Sequence, residues 1–339
     1  MNDIKIEMPR LPKLINFTKI LPFLLALPAQ VFAASEERAV ETCASKTDKI
    51  PIGGQAVIEG VLIKGPRQWA LAVRQPNGEI FKEKWPNYTM TKRYPWKLPI
   101  LRGFITMVEM LRVGFRALGK SAEIALEDSD EKLTKRDFFI AICVAIVAVV
   151  GLFIALPMWL AELSSNFFAL PAAARNTLEG VTRGVVFVGY VACIGLMKDI
   201  RQVFRYHGAE HKAINAYEKA CQKIAADEVC LTPEDIARES RIHPRCGTSF
   251  MLVAILISIA VFSIIGTGGV LWRIGSRVAL LPLVIGVSYE IIRLASRSGF
   301  IGWLLMSPML SLQYITTREP SLDHIEVALT SMNVALERE

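Results

Sequence analysis

The residues best suited to chemistry lie in one short stretch, residues 206–211, whose sequence is YHGAEH. It contains two of the four histidines of the chain, His207 and His211, with Glu210 between them. In a helix, residues four apart lie on one face, about 40° from each other, and two imidazoles placed in this way can bind one metal ion. The order H-x-x-E-H is that of the inverzincins, in which the glutamate next to the second histidine is the general base.

A second pair of ligand candidates follows along the chain. His243 and Cys246 stand in the sequence HPRCG, residues 243–247, which is typical of a zinc knuckle with histidine at the first ligand position. The predicted cofactor is therefore a divalent metal ion, and Zn²⁺ is the ion that His and Cys ligands favour. The six cysteines include no C-x-x-C pair and no regular disulfide spacing. The cysteine-bearing loop is accordingly expected to be reduced and cytoplasmic.

Composition indicates that a membrane positions these residues. The 339 residues are 52% hydrophobic and 21% charged, and the mean hydropathy is +0.37. Such values are unusual for a soluble domain. The net charge is +7. In a membrane protein, basic residues mostly indicate which loops are cytoplasmic and which surfaces contact anionic lipid headgroups. Membrane lipids are thus expected partners, a homo-oligomer is compatible with so few spans, and no motif indicates nucleic acid.

Four apolar runs predict membrane spans, because each is long enough, or nearly so, for a hydrocarbon core of ~30 Å. They cover residues 138–160, 181–197, 250–272 and 278–292. A fifth run, residues 300–315, is short and contains Pro308, and we expect it to be re-entrant or interfacial. The predicted fold class is an α-helical polytopic membrane protein with a small N-terminal β-meander and an amphipathic helix.

Basic residues orient these spans. Nine lysines and arginines lie in the loop 198–249 between the second and third spans, whereas Arg175 alone separates the first and second. The positive-inside rule therefore places the histidine loop and the N-terminal domain on the cytoplasmic side of the inner membrane. Residues 1–34 have the form of a secretory signal or of an uncleaved interfacial segment. A cleaved signal would place the N-terminal domain outside, against the loop charges.

Five regions follow from these patterns. Residues 1–50 form an N-terminal extension, and 51–99 a small β-rich domain in which 56–63, 70–74 and 80–85 are strand-like and Pro-Asn-Gly at 76–78 predicts a hairpin. Residues 100–131 contain a basic amphipathic helix, which lies either on a membrane surface or on the meander. The membrane domain covers 132–316. Residues 317–339 are predicted to form an amphipathic docking helix.

The loop is expected to contain two helices. The first continues from the second span and carries His207 and His211. The second begins at Thr232, with proline at its first position and acids in its first turn, and is expected to end near Arg241. His243 and Cys246 would then form a turn directly before the third span, so both ligand pairs meet at the cytoplasmic membrane surface.

Four runs of this chain resemble the YqhQ-like bacterial membrane proteins, described as predicted metal-dependent enzymes. They are GGQAVIEGV at 53–61, RYHGAEHK at 205–212, HPRCGTSF at 243–250 and QYITTREP at 313–320. They occur in order from about residue 52 to the end, and the first 50 residues lie outside the resemblance. It implies a multi-span membrane protein with a metal site at His207, His211, His243 and Cys246. It implies no particular substrate.

Two functions fit the candidate ligands. In the first, a zinc-dependent hydrolase binds the metal through both helix histidines and one residue of the knuckle, and Glu210 is the catalytic base toward a lipid-linked or peptide substrate. In the second, all four ligands close a structural site in a membrane scaffold, assembly factor or transporter subunit. A chain without metal is the remaining alternative, which three histidines and a cysteine in one loop disfavour.

Two further carboxylates are candidates. Glu290 lies inside the fourth predicted span, where an acid is costly, so it is a candidate ligand or proton relay. An ion pair with Arg293, three residues on, is the simpler interpretation. Glu59, in a strand flanked by glycine, is singled out by the resemblance alone.

Overall fold

The computed structural model describes residues 52–126, 135–223, 228–244, 246–265, 269–295 and 299–337. The predicted N-terminal extension, residues 1–50, lies outside the described residues. The strands are β1 (Gly53–Val57), β2 (Gly60–Lys64), β3 (Gln68–Arg74) and β4 (Ile80–Pro86). The helices are α1 (Leu101–Ala125), α2 (Lys135–Val150), α3 (Leu156–Phe168), α4 (Ala172–Ile194), α5 (Lys198–Ala220), α6 (Pro233–Ala237), α7 (Gly247–Ile265), α8 (Val270–Ala279), α9 (Leu281–Ala295), α10 (Gly299–Thr316) and α11 (Leu322–Ala335).

The strands form an antiparallel meander in the order β1-β2-β3-β4, which confirms the predicted β-meander. Gly78 adopts φ 90 in the predicted hairpin between β3 and β4, a conformation that favours glycine. The single strand predicted over 56–63 is wrong, because Val57 pairs with Gly60 and the chain reverses between them. Glu59 therefore lies in a tight turn at φ 49, not in a strand. Gly60 is required there, since a Cβ would lie 2.4 Å from the carbonyl oxygen of Ala72.

Both faces of the sheet are covered by helices, so β1, β2 and β3 are buried on both sides, whereas β4 is more exposed. Helix α1 packs on one face of the sheet around Met110 and Ala117. Of the two interpretations of this amphipathic helix, the structure favours docking on the meander over a position on the membrane surface. Helices α5 and α11 pack on the other face. The predicted apolar face of α11, which includes Ile325 and Met332, is buried there. The candidate histidines thus belong to a helix sandwiched between the sheet and the apolar helices.

Three helical segments are long and apolar enough to cross a membrane by length and composition: Phe139–Phe168, Ala173–Ile194 and Gly247–Ile265. In the first, one π-helical turn, Gly151–Ala155, joins α2 to α3. The predicted fourth span differs from a single straight segment. Its residues, 278–292, lie mainly in α9, which is bent by 43° from α8, so the two helices make a fourth candidate span only if the bent pair is counted as one. Pro282 explains the break, because proline has no N–H to continue the helical ladder and is tolerated only in the first turn of α9.

Three details of the predicted loop and final span change. A turn through Gly195 separates α4 from α5, so α5 is not a continuation of the second span. The Thr232 cap is confirmed, with a capping box to Asp235, but α6 ends at Ala237 and not near Arg241. The chain beyond α6 is irregular, with bends and turns, and several of its carbonyl groups bind side chains of α5, as described below. The fifth apolar run forms the helix α10, which packs against α7 and α9.

Candidate functional site

Helix α5 brings its two histidines into the interior. His207, Glu210 and His211 are all buried on the face turned toward the sheet and α10. Close packing at Gly208 makes this possible, since a Cβ there would lie 2.1 Å from the carbonyl oxygen of Arg318. The backbone N–H of Arg318 in turn donates to the carbonyl of Phe204 at 2.8 Å. The segment after α10 therefore rests directly on the backbone of α5.

Both histidines are oriented by backbone carbonyls. Nδ1 of His207 lies 2.9 Å from the carbonyl oxygen of Thr316, and Nδ1 of His211 lies 2.7 Å from that of Arg241. A carbonyl only accepts, so each Nδ1 carries the proton and donates it. Nε2 of each ring is then left as the lone-pair nitrogen. Metal-binding histidines are usually held in this manner, with the second ring nitrogen donating to a carbonyl or carboxylate.

Cys246 completes a group of three ligand atoms. Its Sγ lies 3.5 Å from Nε2 of His207, and the ligand atoms of His207, His211 and Cys246 all lie within 4.8 Å of one another. Zinc–nitrogen bonds of ~2.0 Å and zinc–sulfur bonds of ~2.3 Å in a tetrahedron separate ligand atoms by roughly 3.3–3.6 Å. The distance between Cys246 and His207 already has that value, so the three residues fit a metal ion of this kind.

His243 lies beside this group and outside it. Its ring centroid is 5.7 Å from that of His211, and its Nε2 is 3.6 Å from a carboxylate oxygen of Glu218. Gln313 of α10 holds the backbone of His243 on both sides, because its Oε1 accepts from the N–H at 2.9 Å and its Nε2 donates to the carbonyl at 2.8 Å. The structure thus brings together three of the four predicted ligands, with the fourth as their neighbour.

Glu210 is buried beside the three ligands. Gly54 of β1 makes room for it, since a Cβ on Gly54 would lie 2.8 Å from its Oε1. Its Oε2 is buried and makes no hydrogen bond to the described part of the chain. Burial raises the pKa of this carboxyl well above its usual range. One oxygen of a carboxyl next to two histidines is therefore uncommitted.

Burial dominates the electrostatics of the cluster. It lowers the pKa of His207 and of His243 to about 4 and that of His211 well below its ordinary value, so all three imidazoles are neutral at pH 7. Burial is also the main reason why the pKa of the Cys246 thiol is raised to about 12, to which the charge of Glu210 contributes. Neutral imidazoles are ready to bind a metal ion, whereas the thiol must lose a proton to do so.

The other two carboxylates singled out in the sequence lie elsewhere. Glu290 of α9 accepts from Arg102 of α1, at 2.6 Å from Nε to Oε1 and in a second bond from Nη2 to Oε2. It joins the amphipathic helix to the apolar helices. Glu59, in the turn after β1, accepts from the hydroxyl of Tyr206 at 3.2 Å. Neither belongs to the three-ligand group.

Several residues around the site had no predicted role. Asn215 donates to the carbonyls of Ser240 and Ile242 and so holds the irregular segment after α6. The carbonyl groups of Thr316 and Arg241 have no signal in the sequence, because every residue has one. Only the four runs that carry the family resemblance pointed to these segments in the sequence. The structure joins them at this site through Gly54, Gly208, Cys246 and Gln313.

Two comparisons with known proteins identify relatives of this chain. Residues 98–338 match the family described as "Protein of unknown function (DUF1385)". The chain is also 33% identical over 311 residues to "Uncharacterized protein YqhQ" of Bacillus subtilis (strain 168), with 86% of this chain and 94% of that protein covered. No solved structure matches the chain. The predicted resemblance is confirmed, and the chain belongs to the DUF1385 family, that of the YqhQ-like proteins.

Proposed function

We propose that the protein is a metal-dependent hydrolase whose metal ion, Zn²⁺ by its ligand chemistry, is held by His207, His211 and Cys246. The observation that carries this proposal is the incomplete ligand set. Three ligand atoms lie within 4.8 Å of one another, and His243 is turned toward Glu218. Three protein ligands leave one position of a tetrahedral ion open, which is the arrangement of catalytic zinc, whereas structural zinc has four.

Glu210 is the proposed catalytic base. A divalent ion in this position would supply Lewis acidity and lower the pKa of a coordinated water toward ~7. The uncommitted Oε2 of Glu210 would accept the proton of the attacking water and later return it to the leaving group. The carboxyl acts as a base only when it is ionised, a form that burial disfavours and nearby positive charge favours. Its activity therefore depends on a filled metal site.

The proposed location is the inner membrane, with the metal-site loop on the cytoplasmic side. Three helices of sufficient length and apolarity support several membrane passes. Large apolar side chains such as Phe167 and Ile264 on these helices, and Leu271 on α8, are exposed and would face lipid. The basic loop supports the orientation. A site at the ends of the apolar helices favours a substrate in the cytoplasmic leaflet, either lipid-linked or peptidic.

X-ray absorption at the metal edge of the purified full-length protein tests the ligand set. We expect two nitrogen ligands, one sulfur ligand and one light oxygen ligand. Cys246→Ser should remove the sulfur contribution, while Glu210→Gln should keep the metal and lose complementation of a strain that lacks the gene. Glu234→Gln, which changes an exposed acid in the first turn of α6, is the matched control. It should leave both the metal ligands and complementation unchanged. Full complementation by Glu210→Gln would refute the catalytic role.

A closed structural site in a scaffold, assembly factor or transporter subunit is the second candidate. It is favoured by the burial of all four predicted ligands and by the proximity of the His243 and His211 rings. In such a site the imidazole of His243 would turn from Glu218 toward the other three ligands. The same absorption experiment separates the two functions, since a closed site has three nitrogens, one sulfur and no oxygen.

A further inference from the structure

A second concentration of buried charge lies at the opposite end of the apolar helices. Cys246 precedes α7, whereas the ring of Phe262, which Arg277 covers at 4.8 Å, belongs to the far end of that helix. At 1.5 Å per residue the two positions are about 24 Å apart along the helix. The residues of this cluster come from α3, α4 and α8. They are Glu162, Arg175, Glu179, Arg183, Arg273 and Arg277. We call this set the arginine cluster.

Glu179 lies at the centre of the arginine cluster, and both of its carboxylate oxygens accept hydrogen bonds from arginines. Arg277 donates to it in a bidentate manner, from Nε to Oε1 at 3.1 Å and from Nη2 to Oε2 at 2.9 Å. Arg183 and Arg273 donate to it at 2.9 and 3.2 Å. Arg183 also donates to the carbonyl of Phe153. That carbonyl lacks its usual helical donor four residues on, because Pro157 has no N–H. The inner half of the cluster, around Glu179, is therefore a buried ion-pair network that links the helices and needs no further ligand.

The outer half of the arginine cluster is open. Glu162 is 43% exposed, and its Oε2 is shared by Arg273 and by Arg175, whose Nη1 lies 3.3 Å away. The side chain of Arg175 is 17% exposed and that of Arg273 is 4% exposed. The Nε atoms of Arg175 and Arg273 are both buried and make no hydrogen bond within the described residues. Two guanidinium groups thus flank one partly exposed carboxylate at this rim, and each keeps a buried Nε–H without a hydrogen bond to the described residues.

The charges of the arginine cluster do not balance. Four arginines face two glutamates, which leaves an excess of two positive charges. An uncompensated charge among apolar helices is costly, and ionisable groups in such places usually pair or mark a ligand site. Helix α8 turns Leu271 and Val278 outward while Arg273 and Arg277 point inward, so the charge is concentrated inside the helix bundle. The rim at Arg175 and Arg273 therefore favours an anion.

We propose that the rim of the arginine cluster binds a phosphate group, held by Arg175 and Arg273 beside Glu162. Guanidinium forks match the oxygens of phosphate in paired hydrogen bonds, and a phosphate diester or inorganic phosphate would offset part of the excess positive charge. The position of Glu162 between the two arginines marks where an anionic oxygen is accommodated. The phosphate belongs to a phospholipid headgroup or to the free anion. This site is independent of the proposed hydrolase.

Native mass spectrometry of the detergent-purified full chain tests this proposal, with phosphatidylglycerol, phosphatidylcholine and inorganic phosphate as the three probes. We expect wild-type protein to retain phosphatidylglycerol in preference to phosphatidylcholine. Arg175→Gln should weaken retention about 10-fold, which corresponds to the loss of one hydrogen bond to a charged group. Glu162→Gln should strengthen it severalfold, because it removes the competing carboxylate. Arg201→Gln, an exposed arginine at the start of α5, is the control and should leave retention unchanged.

The two sources of phosphate give different patterns. If inorganic phosphate binds with the same dependence on both variants and displaces the lipid, the ligand is the free anion. If phosphatidylglycerol alone does so, the ligand is a headgroup. A purely structural ion network predicts that Glu162→Gln lowers the unfolding temperature and binds no more anion. That result would overturn the proposal even if Arg175→Gln failed to fold. Equal retention of both lipids by wild type, together with no binding of inorganic phosphate, would also overturn it.

Discussion

Replacing Gly208 by alanine tests whether contact between α5 and the segment after α10 positions the candidate metal site. The new Cβ would lie 2.1 Å from the carbonyl oxygen of Arg318, about 1 Å closer than a nonbonded carbon and oxygen allow. Overpacking of this kind costs ~3 kcal/mol at the upper end of its usual range, because backbone and not a flexible side chain must move. Alanine recovers ~1 kcal/mol of helix propensity, so the net loss is about 2 kcal/mol.

The same displacement should reach the metal ligands. The segment that must move begins directly after Thr316, whose carbonyl accepts from His207, and it includes the N–H of Arg318, which donates to Phe204. We therefore expect Gly208→Ala to lower both the thermal unfolding midpoint in detergent and the affinity for Zn²⁺. Chelator competition measures the second quantity on the same preparation.

Gly275→Ala is the matched control for this experiment. Gly275 lies inside helix α8, and a Cβ there would meet no atom within 4 Å. It should gain helix propensity and leave the metal affinity unchanged. If Gly208→Ala were as stable as Gly275→Ala and bound zinc as wild type does, the close approach of α5 to the backbone at residue 318 would be wrong, and with it the account of how His207 is held.

Three further outcomes follow from the contacts. Burial and nearby arginine charge lower the pKa of His324 to about 4, so its contribution to stability is present above its ordinary pKa of 6.5 and is lost as pH falls toward 4. The unfolding free energy of wild type should therefore fall more steeply between pH 6.5 and 4 than that of His324→Gln, because glutamine does not titrate and retains the capping box with Ser321. Glu290→Gln should lower the unfolding temperature through its bond to Arg102 and leave metal content unchanged, whereas loss of metal would assign Glu290 to the site. Gln313→Leu should reduce zinc affinity by ~10–100-fold, measured by chelator competition, because it frees the backbone before α7; unchanged affinity would contradict that role.

Local patterns predicted much of this molecule because they depend on neighbours along the chain. The spacing of His207 and His211 predicts one helix face, and Pro-Asn-Gly at 76–78 predicts a hairpin, and the structure has both. Proline and the acids after Thr232 located the start of α6. The apolar runs predicted the three long helices, although each predicted run misses one end of its helix by seven or eight residues. Each of these features is decided by periodicity, capping or turn chemistry over fewer than about twenty residues.

Features that depend on long-range contacts could not be obtained in this way. The sequence offered His243 and Cys246 as equivalent ligands, and only the packing of α7 against α5 and α10 turns Cys246 toward His207 and leaves His243 beside Glu218. The left-handed turn at Glu59 was likewise hidden, because a run of β-forming residues continues on both sides of it.

The sequence by itself determined the family, the helix that carries H-x-x-E-H and the apolar segments, since residue type and spacing are sufficient for each. Tertiary structure alone decided which nitrogen of each histidine is free, because that depends on distant carbonyls of Thr316 and Arg241. It also decided that charges scattered over three helices meet in the arginine cluster. Packing brings such groups together across more than ninety residues, as between Glu179 and Arg273, and no local pattern encodes that distance.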